Sequence, residues 1–241
     1  MTRSIAMLRF EAPPELGDLS ADFELHENPR ARRMQLSVDA ARAVVRVVVP
    51  FGVGRKHAVR FVARHHDWVR QRVQAIPAAQ PFVPDAVIPF MGQPHRLVHD
   101  SAHVGRPRRA EGEIRTGGTP EYFSRRITDF LKAEAKREIS ARAHHLAETV
   151  HRRVKAVTIR DQRSRWGSCT ASGRLAFSWR LILAPETVLD YLVAHEVAHL
   201  VEMNHSRAFW RLVAKFTPHT DMARTWLDQN RALLLRYGEA R

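Results

Sequence analysis

The chain has 241 residues, 44% of them hydrophobic and 27% charged, a balance that excludes a disordered or fibrous protein and indicates a folded one. It carries 39 basic against 25 acidic residues, a net charge of +14 that is nearly all arginine and suits polyanionic surroundings. A single cysteine, Cys169, excludes an internal disulfide. With no apolar run of membrane-spanning length and no signal-peptide core in residues 1–10, it leads us to expect a cytoplasmic protein with no membrane partner.

Residues 1–22 are interrupted by Pro13, Pro14 and Gly17 and read as a loose N-terminal tail. Two strands follow. Arg33 to Val38 alternates apolar and polar residues, Val44 to Val49 is rich in β-branched ones, and the short polar stretch between them predicts a hairpin. Pro50 and Gly52 stop the second strand. One helix is predicted over 55–74, with Ala58, Phe61, Val62, Trp68, Val69 and Val73 on one face. Residues 76–94 are broken by Pro77, Pro81, Pro84 and Pro89 and read as an extended connection. Gln93 to His99 supplies a further strand, and 106–118 reads as an exposed turn or linker. Residues 23–115 are thus expected to form a β-rich region with one helix. His95, His99 and His103 recur at intervals of four but fall on strand and loop without an adjacent carboxylate, which argues against a metal site there. The paired histidines His65-His66 and His144-His145 are weaker still.

The remainder, 116–241, reads as a second domain. Thr119 can cap and Pro120 suits the first position of a long helix, whose stripe is Phe123, Ile127, Phe130, Leu131, Ile139, Leu146 and Val150. Strands are predicted near Val154–Arg160 and Leu175–Ser178. A helix then starts at Pro185-Glu186, with Leu189, Val193, Val197, Leu200 and Val201 as its buried stripe and Asn204 as its terminator. Two more helices are predicted over 206–216 and 221–236. No internal repeat is visible.

On that third-from-last helix lies His195-Glu196-Val197-Ala198-His199, followed six residues later by His205. Histidines four apart project from one helix face one turn above the other, so both imidazoles reach a single ion. The glutamate beside the first stays off the metal but can hold a water. This is the H-E-x-x-H arrangement, in which zinc polarises a water and the carboxylate takes its proton. His205, just past the turn, folds back as a third ligand. Three neutral imidazoles with one position open describe a catalytic zinc site, one Zn2+ per chain, and a purely structural site has no need of Glu196.

These residues, with His205-Ser206-x-x-Phe209-Trp210, the preceding Arg165-Trp166-Gly167-Ser168-Cys169 and Leu175-x-Phe177-x-Trp179-Arg180-Leu181, resemble the YgjP-like and SprT-like zinc metallopeptidases. The similarity is specific over about 154–213 and looser in the N-terminal half. It implies that His195, His199 and His205 hold zinc and that Glu196 is the catalytic acid/base. It also implies an α+β fold with a minimal zincin core, a small sheet packed on the active-site helix. The ligand spacing equals that of the metzincins, but Glu202 stands at their glycine position and no Met-turn follows, so a metzincin is rejected.

Arg163 and Arg165 are the candidates for a second electrophile, ahead of Asn204; surface coverage is the competing role for both. Trp166 and Gly167 offer two readings. They line a cleft in which an extended peptide pairs with an edge strand, or they serve as core anchor and bulge. Phe209 and Trp210 are expected to pack behind His205. Glu202 and Asp190 are either surface residues or partners for a ligand's second ring nitrogen. Cys169 is expected to be a small buried residue, with a regulatory thiolate as the sharper alternative. The expected activity is zinc-dependent hydrolysis of polypeptides. The alternatives are hydrolysis of nucleotide phosphates, a nucleic-acid-associated protease binding non-specifically through the basic surface, or a non-catalytic zinc module. Oligomeric state is not legible.

Overall fold

Between Ala78 and Ala79, inside the proline-broken stretch, the chain passes from one structural unit to another, Met1–Ala78 and Ala79–Arg241. The computed structural model describes residues 7–40 and 42–239 and shows a mixed α+β protein. The division falls well before residue 115. The strands after 86 bury Ile88, Phe90, Leu97 and Ile114 in the same core as the long helix that follows, so they belong to the second unit.

In the first unit, β1 (Met7–Phe10), β2 (Asp22–Asn28), β3 (Gln35–Asp39) and β4 (Val44–Pro50) form one sheet in the order β1-β2-β4-β3. β2 and β4 run parallel and the outer pairings are antiparallel. The expected hairpin is β3–β4, with Leu36 opposite Val47; Ala41 in its turn lies outside the described residues. The expected loose tail is partly structured. Residues 1–6 lie outside the described residues, but β1 pairs with β2, and Phe10 and Leu16 are buried. An apolar residue every few positions was enough to anchor a segment whose prolines suggested only a tail. The single helix expected over 55–74 is two, α1 (Arg55–Arg64) and α2 (His66–Gln74). At the break the His65 ring bonds the Phe61 carbonyl at 2.8 Å and the His66 ring bonds that of Ala63 at 2.9 Å, side-chain donors competing with the helical ladder. Leu25, Val45, Val47, Val49, Ala58, Val62 and Val69 fill the core. On the opposite face of the sheet, beside Arg46, lies a carboxylate, Glu24. It is fully buried, accepts from Arg42 at 2.7 Å, and meets His26 at 3.1 Å.

The second unit begins with β5 (Val87–Phe90), β6 (Gln93–His99), β7 (Arg108–Ala110) and β8 (Glu113–Thr116), ordered β5-β6-β8-β7 with β6 and β8 parallel. This is the connectivity of the first sheet repeated, two hairpins joined through a parallel pair. The linker expected at 106–118 and the connection at 76–94 therefore contain strands. Their charged residues disguised them: Glu113 sits 2.6 Å from Arg96 on the neighbouring strand and 2.6 Å from Arg115 on its own, ion pairs in place of β-branched residues.

A short 3-10 turn, Pro120–Tyr122, leads into α3 (Phe123–Thr149); the Thr119 side chain makes no capping bond. The buried face of α3 recurs every four residues through Phe123, Ile127, Leu131, Ala135, Ile139, Ala143 and Ala147. Its alanines keep the backbone close to its neighbours. A three-stranded sheet follows, made of β9 (Ala156–Arg160), β10 (Gly167–Cys169) and β11 (Arg174–Ser178), with β11 central, parallel to β9 and antiparallel to β10. The last helices are α4 (Glu186–Ala198), α5 (Arg207–Phe216) and α6 (Thr220–Leu234). Among the described residues no helix is long and apolar enough to cross a membrane.

Candidate metal centre

α4 is buried nearly all round, through Val188, Leu189, Tyr191, Leu192, Val193 and Val197. It stops six residues before Asn204: Ala198 is its last residue, His199 caps it, and Val201 is exposed. The reason is local. The amides of Val201 and Glu202 both bond the Ala198 carbonyl at 3.0 and 2.9 Å, and the His199 Nδ1–H donates to the Glu202 carbonyl at 3.0 Å. Asn204 acts beyond the helix, its Oδ1 accepting from the Ser206 amide at 3.2 Å, and Ser206 Oγ then caps α5 by accepting from Phe209. This tight return carries His205 back over α4.

The outcome is a triangle of imidazoles. One nitrogen from each of His195, His199 and His205 lies within 4.8 Å of the others, and His195 Nε2 and His205 Nε2 are 3.1 Å apart. Two ligands at tetrahedral angles, each about 2.0–2.1 Å from a zinc ion, stand about 3.3 Å apart, so the spacing fits that ion. The protonation state fits as well. Burial pushes His195 down to about 4, helped by the nearby His199 and His205, and burial also lowers His199, so both rings are neutral donors at pH 7. Phe209 is fully buried beneath all three, with its ring centroid 4.9, 4.5 and 4.7 Å from those of His195, His199 and His205. His199 gains its orienting hydrogen bond from the backbone of Glu202, whereas His195 Nδ1 is buried without one and is held by packing alone. Neither carboxylate considered for that task performs it. Asp190 pairs with Arg142 at 2.7 Å, and Glu202 contributes its carbonyl.

Glu196 faces the other side of the same turn. It is 5% exposed, no hydrogen bond or ion pair to it is found among the described residues, and burial pushes its carboxyl up to about 8 against the pull of Arg165. Gly167 on β10 lies directly over it. A Cβ built at Gly167 would stand 2.5 Å from Glu196 Oε1 and 2.7 Å from its Cγ, so only glycine leaves room for the carboxylate. Gly167 is therefore neither a bulge nor merely a cleft wall; it pairs regularly with Phe177 and shapes the floor on which Glu196 rests.

Of the other candidates, Arg165 is exposed and within electrostatic reach of Glu196, while Arg163 is bound elsewhere, 2.7 Å from Glu239. Trp166 is half-buried, with the Arg231 guanidinium 5.6 Å from its ring centroid. Cys169 is only half-buried, and burial and the Glu196 charge push its thiol up to about 11, which removes the thiolate alternative. His95, His99 and His103 each bond a different backbone carbonyl and form no cluster. An open cavity of ≈ 280 Å³ adjoins Glu196, walled by Trp166, Gly167 and Tyr191 and bordered by Arg224 and Asp228 of α6. Sequence reasoning missed Tyr191, Arg224 and Asp228. Tyr191 stands one turn before His195 and was within reach of a helical-face argument; α6 is brought to the site by tertiary packing, which no spacing in the chain announces.

The profile described as "YgjP-like, metallopeptidase domain" matches residues 32–230. The chain belongs to this family. Among solved structures it is similar to the metallopeptidase zymogen abylysin of Pyrococcus abyssi, at 23% identity over 41% of this chain and 97% of that one, with a TM-score of 0.35. No match was found among curated proteins.

Proposed function

We propose that this member of a metallopeptidase family is a zinc-dependent peptidase with a zincin-like core, acting in the cytoplasm, in which His195, His199 and His205 hold one zinc ion and Glu196 is the acid/base. One observation carries the reading: one nitrogen from each of three imidazoles converges beside a buried carboxyl that has no structural partner. When bound, zinc supplies Lewis-acid activation of water and of the scissile carbonyl. The protein's own residues do the rest. In its ionised form Glu196 accepts the proton of the attacking water at a carboxylate oxygen and delivers it to the departing amine. Arg165, the cation nearest to it, stabilises negative charge developing on the substrate. β10 is an edge strand, so an extended peptide can pair beside Gly167, with Trp166 as a wall of the cleft.

The test is a paired assay of the zinc-loaded protein against an unfolded polypeptide and a panel of nucleotides. We expect about one zinc per chain, cleavage of the polypeptide alone, and loss of metal in His205→Ala. Glu196→Gln should keep its zinc and lose activity by at least ~100-fold. Hydrolysis of nucleotides that depends on Glu196, without peptide cleavage, would replace this reading by a phosphohydrolase. Near-normal turnover in Glu196→Gln would remove Glu196 from the chemistry.

A further inference from the structure

The cavity beside Glu196 has one wall that the reaction does not use. Arg224 projects from α6 to its mouth, its guanidinium 5.3 Å from the centroid of the Trp210 ring. Trp210 in turn lies 5.7 Å from the His205 ring and 5.9 Å from that of His195. The cation therefore stands one aromatic ring away from the histidine cluster and on the same cavity as the carboxyl of Glu196. It is exposed, and among the described residues no carboxylate lies within ion-pair distance of it; even Asp228, one turn along α6, makes no salt bridge with it. The cation–π contact holds the guanidinium near the Trp210 ring and leaves its N–H groups to an external acceptor.

The surroundings decide which acceptor. Arg165 adds a second cation from the loop before β10, and its charge reaches the Glu196 carboxyl on the same cavity. The charge of Arg224 is felt by Tyr191 on the cavity wall, opposing the burial that pushes its phenol up. A planar fork of donors at the rim of a cavity, free of an internal partner, matches a carboxylate bidentately, whereas a carbonyl takes only one bond and an ammonium is repelled.

Building on the peptidase reading, we propose that Arg224 is a specificity-determining residue: it binds the side-chain carboxylate of a substrate residue flanking the scissile bond, so the protein cuts beside Asp or Glu. Trp210 is its platform, and the aromatic walls Trp166 and Tyr191 hold the methylene stem of that side chain. Discrimination against the uncharged amides follows from a charge-assisted pair that they cannot make.

Two measurements test this. In the first, a peptide pool randomised at eight central positions is digested and the cuts are located by mass spectrometry. Wild type should favour Asp and Glu over Asn and Gln on one side of the cut by on the order of 10-fold. Arg224→Gln should lose the preference, and Arg224→Glu should turn it towards Lys and Arg. The second needs no turnover. End-blocked Gly-Glu-Gly and Gly-Gln-Gly are titrated into zinc-loaded Glu196→Gln protein and followed by tryptophan fluorescence, since Trp166 and Trp210 border the pocket. The Glu peptide should bind on the order of 10-fold tighter, and the difference should vanish when Arg224→Gln is added. Cleavage with the same profile in all three proteins, or equal binding of the two peptides, overturns the assignment while leaving the peptidase reading intact. Charge-selective binding without cleavage of any peptide by wild type would do the reverse: the pocket would stand and the peptidase reading fail.

Discussion

Glu24 and Glu196 are both buried, one in each unit, and the protein treats them in opposite ways. Glu24 lies between β-strands with the Arg42 guanidinium on one oxygen and His26 on the other, and Arg46 reaches to 4.0 Å. Burial pushes its carboxyl up, but those hydrogen bonds outweigh burial and hold it below the ordinary value, so it is a stable anion. Glu196 sits against a glycine with no hydrogen-bonding partner, and burial pushes it up to about 8. A satisfied buried charge is architecture; an unsatisfied one costs stability and persists where a proton must move. The contrast is sharper because the two four-stranded sheets share one connectivity. The sheet motif is common to both units, and the proposed chemistry rests on the helix in the second that carries His195, Glu196 and His199.

Substituting the two glutamates in turn tests the contrast most directly. Glu24→Gln leaves Arg42 facing a neutral amide inside the first unit. Removing one partner of a buried pair costs about 3–5 kcal/mol, and because Arg42 and Arg46 are about a third exposed we expect less than that, about 2–3 kcal/mol. Glu196→Gln removes a carboxyl that pays for its burial without compensation, so the metal-free variant should be as stable as the parent or more so. Denaturant unfolding of both variants, with hydrogen exchange to separate the units, measures this. Equal losses in the two variants would erase the distinction between them.

A smaller effect is expected at Gly167. Its backbone does not require glycine; the space does, because a methyl group would lie within 2.8 Å of three Glu196 atoms. Gly167→Ala must therefore displace either β10 or the carboxyl. Misplacement of a reacting group by about 1 Å costs up to about 100-fold in rate, and we expect a loss of roughly 10- to 100-fold in kcat with zinc content unchanged. Gly173→Ala, strained because its backbone sits at φ +78° and remote from Glu196, serves as a stability control. Unaltered kcat in Gly167→Ala would show that the strand yields and the carboxyl does not.

The same contrast explains what could be read from the chain. The histidine triad was legible because His195 and His199 belong to one helix, where a spacing of four fixes the shared face, and His205 follows one short turn later. The buried stripe of α3 was half legible. Phe123, Ile127, Leu131 and Ile139 stand out as apolar, while Ala135, Ala143 and Ala147 bury just as completely and announce nothing. In the second sheet only β6 stood out; arginines and glutamates that satisfy one another along and across strands made β7 and β8 look like a linker beside the valine-rich β4. Arg224 reached the site through packing of α6 on α4, and Glu24 found Arg42 by strand pairing; both are meetings of residues distant in sequence. Periodicity reports what one element does with its own faces and is silent on which element it will meet.

The smallest expected effect concerns acid. The folded protein holds Glu24 below the ordinary carboxylate value of about 4.3, so the stability contributed by its ion pairs is fully present above that value. As the pH falls, the unfolded chain takes up the proton first, and the contribution is lost as the pH drops through the depressed folded value. The first unit should therefore weaken below about pH 4.3 by less than the whole cost of Glu24→Gln, since the protonated carboxyl keeps part of its hydrogen bonding. Hydrogen exchange at the paired amides of β2 and β4, followed from pH 6 to pH 3 with correction for intrinsic rates, reads this locally. Wild type should lose protection across that window by more than Glu24→Gln does, because the variant has no proton to gain at this position. Parallel curves for the two proteins would mean that acid acts on the first unit through other carboxylates and that Glu24 is held by packing more than by its ion pairs.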